Sequence, residues 1–118
     1  MDDDYTVILI PGLPSLTEVR LYDETWDHIT TEHPEFRLEL PSQRDALEDA
    51  IATPTAIHAS TTDPEKAVII VSSSFTYLDH PVVVPVRRVP GTTSGRVTTA
   101  YFSSSTYLGP ILWSAGNE

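Results

Sequence analysis

Cysteine is missing from all 118 residues, and its absence removes disulfide frameworks, thiolate metal sites and cysteine nucleophiles in one step. A cysteine-free chain suits a reducing compartment, so a cytoplasmic location is expected. Lysine is almost missing as well: Lys66 stands alone beside seventeen acidic residues. The longest apolar runs are Val7 to Pro11 and Ala67 to Val71, far short of the roughly 20 residues that cross a bilayer. Asp2, Asp3 and Asp4 stand where a secretory leader carries positive charge, so neither a cleaved leader nor a membrane partner is expected. No G-x-S-x-G turn follows the strand-like ILIPGL, and no glycine-rich phosphate loop or aromatic RNA-binding signature occurs.

What is present is enough for one core. An apolar content of 40% over 118 residues supports one compact domain, read as positions 1–118, with no room for a second. The net charge of −10 opposes nucleic-acid binding in its simplest form, since phosphate-binding surfaces work by neutralising backbone charge. That charge is unevenly spread, however. Residues 1–79 hold sixteen acids and four bases, a balance of −12, whereas residues 80–117 hold Arg87, Arg88 and Arg96 with no acid, a balance of +3.

Hydrophobic periodicity divides the chain into an early helical part and a later strand part. Tyr5 to Pro11 and Glu18 to Tyr22 read as a short hairpin around Gly12, Pro14 and Ser15. Asp23 is an expected N-cap, TWDHITTEH a helix, and Pro34 its stop. A second helix is expected from Ser42, with Asp45 completing a capping box, Leu47, Ala50 and Ile51 forming its apolar face, and Pro54 closing it. Strands follow at about Thr55 to Ser60, Lys66 to Tyr77, Pro81 to Val89 and Arg96 to Phe102, with Pro85 marking an edge or a bulge. Short links without crossover helices predict antiparallel pairing. The expected class is therefore α+β, with N-terminal helices packed on a mainly antiparallel sheet of about four strands and room for a short β-hairpin before them.

On the first helix, Trp26, Ile29 and His33 share one face, while His28, Thr31 and Glu32 share another. His33 is expected toward the core and His28 toward solvent or a cleft. Five residues apart, the two imidazoles lie about 140° from each other around the helix, which is not the i, i+4 spacing of a helix-borne metal site. In RVTTAYF, strict alternation puts Val97, Thr99 and Tyr101 on one face and Arg96, Thr98, Ala100 and Phe102 on the other. The GTTSG connection brings Arg87, Arg88 and Arg96 near one another, with adjacent Arg87 and Arg88 on opposite faces. His58 and His80 read as solvent-facing.

The phrase WDHITTEHPEF, with RVTTAYF and GPILW far downstream, resembles the phage-type branch of the superfamily of barnase, EndoU, colicin and RelE-like nucleases. That branch shows an HI-xxx-HPE-like helix and a late TAY strand, matched here by His28, Ile29, His33, Pro34 and Glu35, then by Thr99, Ala100 and Tyr101. The likeness spans about Leu21 to Trp113. It implies a metal-independent, cofactor-free endoribonuclease with RNA as substrate, of the kind that serves as a toxin with an antitoxin or immunity protein as partner.

Such chemistry needs a base for the ribose 2′-hydroxyl proton, a cation on the phosphate and an acid for the leaving 5′-oxygen. Histidine suits both proton roles and arginine the phosphate. The expected catalytic set is His28, then His33, with Thr99 and Tyr101; the expected phosphate-binding set is Arg87, Arg88 and Arg96. One departure stands out: related chains often carry a basic residue on the strand after the second helix, where AVIIVSSSF has none. Two rival readings stay open, a catalytically silent protein-binding module using its acidic helical side, and a phage-associated accessory protein whose HPE helix only packs.

One prediction rests on composition alone. Repulsion among the acids is screened by salt, and the acidity points to a high-salt cytoplasm. The melting temperature followed by circular dichroism is expected to rise steeply from dilute buffer to molar salt; a flat response removes that reading.

Overall fold

The computed structural model describes residues 4–37, 43–103 and 109–115. It opens with a hairpin of β1 (Tyr5–Leu13) and β2 (Leu16–Tyr22), turning through Pro14 and Ser15. β2 runs directly into α1 (Asp23–Glu32), which is followed by a 3-10 turn (Pro34–Arg37) and α2 (Gln43–Ala52). The remaining elements are β3 (Ala56–Ala59), β4 (Ala67–Tyr77), β5 (His80–Arg88), β6 (Ser94–Val97), β7 (Tyr101–Phe102) and β8 (Ile111–Ser114). No helix among the described residues is long and apolar enough to cross a membrane.

The expectation of helices packed on about four antiparallel strands is overturned. The strands form one mixed sheet in the order β1-β2-β6-β5-β4-β3-β8, with β7 also paired to β5. β3, β4 and β5 occupy the expected stretches of sequence, but the expected strand from Arg96 to Phe102 is divided between β6 and β7, and the N-terminal hairpin is not a separate preface. β2 pairs in parallel with β6, through Glu18 with Ser94, Val19 with Gly95 and Arg20 with Arg96, while β8 adds to β3 at the far side. This long-range parallel pairing has no local sequence signal, because its partners are joined by most of the chain rather than by a turn.

The sheet curls around α2, which packs against β1, β4 and β5 and buries Leu47, Ala50 and Ile51. Its two outer strands approach each other at Gly12, whose φ of 99° is a left-handed conformation natural to glycine. Any side chain at this position would run into the Trp113 indole. A register shift between Leu9 and Leu13 bends β1 there, as a bulge does. The wall of the interior is built by alternation: Ile8 and Ile10, Val19 and Leu21, Val82, Val84 and Val86, and Val68 and Ile70 are all buried on positions of matching parity.

Helix α1 is fixed from both ends. At its start, Arg44 of α2 reaches the Asp23 carboxylate at 2.8 Å, the Glu48 carboxylate at 3.1 Å and the Leu21 carbonyl at 3.2 Å. Asp23 thus belongs to the first helical turn and serves as an anchor, while the N-cap position falls to Tyr22 without a side-chain cap. Ser42, the expected cap of α2, lies outside the described residues. Past the C-terminal end of α1, Phe36 stacks on Phe102 at 4.7 Å and meets Phe75 and Trp26 edge-on at 5.9 and 6.0 Å. These are the offset and T-shaped arrangements that aromatic quadrupoles favour.

Pro85 lies in β5, an interior strand, and the irregularity falls on its neighbour. β5 pairs with β6 through Val86 and Val97, and with β7 through Val83 and Tyr101. Between these pairs the neighbouring chain leaves the ladder opposite Pro85, which has no N–H to donate. The Pro85 carbonyl is instead held by the Thr98 amide at 3.1 Å and the Thr98 hydroxyl at 3.2 Å. Strict alternation through RVTTAYF therefore fails: Val97 is buried within the curl, whereas Tyr101 pairs with Val83 on the opposite parity.

The β2–β6 seam is closely packed. An added Cβ at Gly95 would lie 2.6 Å from Val86 Cγ1 and 3.0 Å from Leu16 Cδ1, and valine has little freedom to withdraw. Gly95→Ala is expected to destabilise the protein by about 1–3 kcal/mol through overpacking, read as a lowered urea midpoint. An unchanged midpoint would show that the seam gives way more easily than this packing requires.

Candidate functional site

Helical phase explains which side of α1 is chemical. Trp26 and Ile29 turn inward, Ile29 being fully buried, so Glu24, Asp27, His28 and Thr31, at i, i+3, i+4 and i+7, form the opposing stripe. Together with Thr25, Arg96 and Thr98 they line an open cleft of about 480 Å³. The cleft thus joins the expected histidine on the first helix to an expected arginine nearly seventy positions later.

His28 is well exposed, and its Nε2 lies 3.3 Å from the Glu32 carboxylate one turn on; the contact becomes an ion pair when the imidazole is protonated. Arg96 is exposed, and its guanidinium carbon sits 4.1 Å from the centre of the Tyr22 ring, a cation–π distance. That contact directs the guanidinium toward the start of α1, since Tyr22 is the last residue of β2. Arg20, on the neighbouring strand, lies 4.9 Å from the Tyr5 ring. Its pKa is raised above the usual guanidinium value, first by a hydrogen bond with the Tyr22 side chain, so its charge is permanent.

The other expected site residues divide between this groove and the rest of the molecule. His33 and Tyr101 are ring neighbours with centroids 6.1 Å apart, at the C-terminal end of α1. Thr99 lies half-buried in the segment that bulges away from Pro85. The cleft therefore has His28, Arg96 and Thr98 in its lining, and the His33–Tyr101 pair lies beyond that lining, past the end of α1.

Arg87 is the cross-strand partner of Arg96 but also faces Asp63 at 3.6 Å. Arg88 pairs with Gly95 and so has the opposite parity; its guanidinium donates to the Ser15 carbonyl and hydroxyl at 3.2 Å. It stands apart from the cleft. His58, expected at the surface, is half-buried and hydrogen-bonds through Nδ1 with the Gly109 carbonyl at 2.9 Å.

Glu24 and Asp27 were not among the expected site residues, although counting back four and one from His28 on a helix finds both. Thr98 was assigned to a regular strand face, and nothing local in the sequence announces that the ladder breaks there. Among the described residues, no group of three histidine or acidic side chains is arranged to hold a metal ion. Comparison with protein-family models, curated proteins and solved structures finds no match.

Proposed function

We infer that this protein is an endoribonuclease-like domain that cleaves RNA by attack of the ribose 2′-hydroxyl on the adjacent phosphorus. The observation that carries this reading is the shared cleft of His28 and Arg96, with His33 and Tyr101 adjoining at the end of the same helix. Of the residues that carry the nuclease resemblance, His28 lines the cleft, and Tyr101 meets the helix beside His33.

The groove offers each group the reaction needs. Arg96, steadied by Tyr22, presents a planar fork of donors to the nonbridging phosphate oxygens, where charge builds in the transition state. A carboxylate of the cleft, Glu24 or Asp27, takes the 2′-hydroxyl proton as the O2′–P bond forms. The His28 imidazolium gives its proton to the departing 5′-oxygen, leaving a 2′,3′-cyclic phosphate and a free 5′-hydroxyl. Glu32, 3.3 Å from Nε2, is placed to orient the ring for that step. His33 and Tyr101 extend the groove toward the next nucleotide. The cytoplasm, where RNA is abundant, is the setting we propose, and an antitoxin or immunity protein would bind over the groove.

A silent binding module is the second reading, favoured by the scarcity of cations: among the described residues the cleft is lined by one arginine, Arg96, and no lysine, beside two carboxylates. On that reading the exposed acids of α1 receive a basic protein partner, in a phage-associated or toxin-neutralising setting.

Purified protein incubated with total RNA is expected to cut it equally well with and without EDTA. His28→Ala should lower the rate by about 10²–10⁴-fold, and Arg96→Gln by about 10²-fold or more, with unchanged melting curves. Undiminished cutting by His28→Ala removes the histidine from the mechanism, and no cutting at any salt concentration selects the binding module.

A further inference from the structure

The outer face of the sheet carries an ordered row of arginines interleaved with tyrosines. Arg20 on β2, Arg96 on β6 and Arg87 on β5 are successive cross-strand partners. Their neighbours Val19, Leu21, Val97 and Val86 are buried, so all three arginines project outward. Tyr5 and Tyr22 pair in register beside them, with ring centroids 4.9 Å apart.

The contacts connect into a chain: the Arg20 guanidinium over Tyr5, Tyr5 against Tyr22, and the Arg96 guanidinium over Tyr22. Tyr5 is 41% exposed and the Arg87 side chain 57% exposed. Three of the seven lysine and arginine residues of an otherwise acidic chain thus stand side by side. Asp63 accompanies Arg87 at 3.6 Å in an exposed pair, the kind that is weak and readily exchanged, whereas Glu18 accompanies the half-buried Arg20 at 3.6 Å and is itself held by the Ser94 hydroxyl.

We propose that this row is a track for single-stranded RNA, running across the sheet into the His28–Arg96 cleft. The arginines take backbone phosphates and the tyrosine rings take unpaired bases. Adjacent strands lie about 4.8 Å apart, so the three arginines span roughly 10 Å, a scale suited to the two or three bases that sheet-borne aromatics hold in other RNA-binding folds. Duplex RNA fits poorly, because its bases are stacked within the helix and cannot reach the rings. Arg96 belongs to both features, so a strand on the track delivers a phosphodiester to the cleft. The identity of the ligand rests on the nuclease reading; the binding measurement does not require catalysis.

The test uses the full chain and a labelled eight-nucleotide RNA carrying 2′-O-methyl groups throughout, which cannot be cut by 2′-hydroxyl attack, read by fluorescence anisotropy at low salt. The single strand is expected to bind at least about tenfold more tightly than the same strand annealed to its complement. Tyr5→Leu, which removes a ring and no charge, should weaken binding by about tenfold, and Arg87→Gln should also reduce the slope of log affinity against log salt by about one. Both positions are exposed, and melting curves identify any loss of fold.

Equal affinity for duplex and single strand, a Tyr5→Leu protein that binds like the parent, or capture of a basic protein with no binding of RNA would each overturn the track. Cleavage of the unmodified strand is scored separately. Binding that depends on Tyr5 and Arg87 without any cleavage supports the track and removes the nuclease reading, whereas cleavage with binding indifferent to both residues does the reverse.

Discussion

The parallel seam between β2 and β6 is the constraint on which both the cleft and the outer row depend. Backbone pairing sets Arg20 beside Arg96, and because β2 continues straight into α1, the same pairing brings His28 to the flank of β6. The seam is supported by polar contacts at its lower end, where the Thr17 amide donates to the Thr93 carbonyl at 2.8 Å and the Ser94 hydroxyl to Glu18 at 2.8 Å. Gly95 allows Leu16 and Val86 to meet over its backbone. A glycine in mid-strand costs backbone entropy, here offset by the close approach it permits.

Two further devices hold the groove in shape. The Phe36 cluster secures the chain beyond α1 to β4 and β7, and so keeps His33 beside Tyr101. Arg44, charged and partly buried, gathers α1, β2 and α2 through one guanidinium. Planar and carrying five donors, it can serve several acceptors at once as a lysine could not. With both ends of α1 fixed, the outward stripe of Glu24, Asp27, His28 and Thr31 is held by packed elements and does not depend on a loop.

Much of this was readable in the sequence wherever the signal was local. The helical phase of Trp26 and Ile29 correctly turned His28 outward, and β-branched runs located β3, β4 and β5 to within a few residues. The chemistry of the outer row was hidden because Arg20, Tyr5 and Tyr22 belong to a hairpin that local patterns describe only as a hairpin. Nothing near Glu18 to Tyr22 indicates that residues 94–96 will lie alongside. The number of strands was misjudged for the same reason, since pairing across most of the chain is decided by the global arrangement of apolar faces. The face assignment through Thr98 to Tyr101 failed for a different cause. A proline on one strand withholds a donor from the next, so the disturbance appears at a residue whose own neighbours look regular.

Opposite Pro85, the segment 98–100 is tethered through the Pro85 carbonyl, which Thr98 grips twice. The ladder resumes past this segment with the pairing shifted by one residue, Val86 facing Val97 but Val83 facing Tyr101. A change of side chain at Thr98 alters the lining of the cleft and removes one of its two bonds to Pro85, while the backbone amide keeps the other. The residue that borders the cleft is thus also the one that fastens this segment to β5.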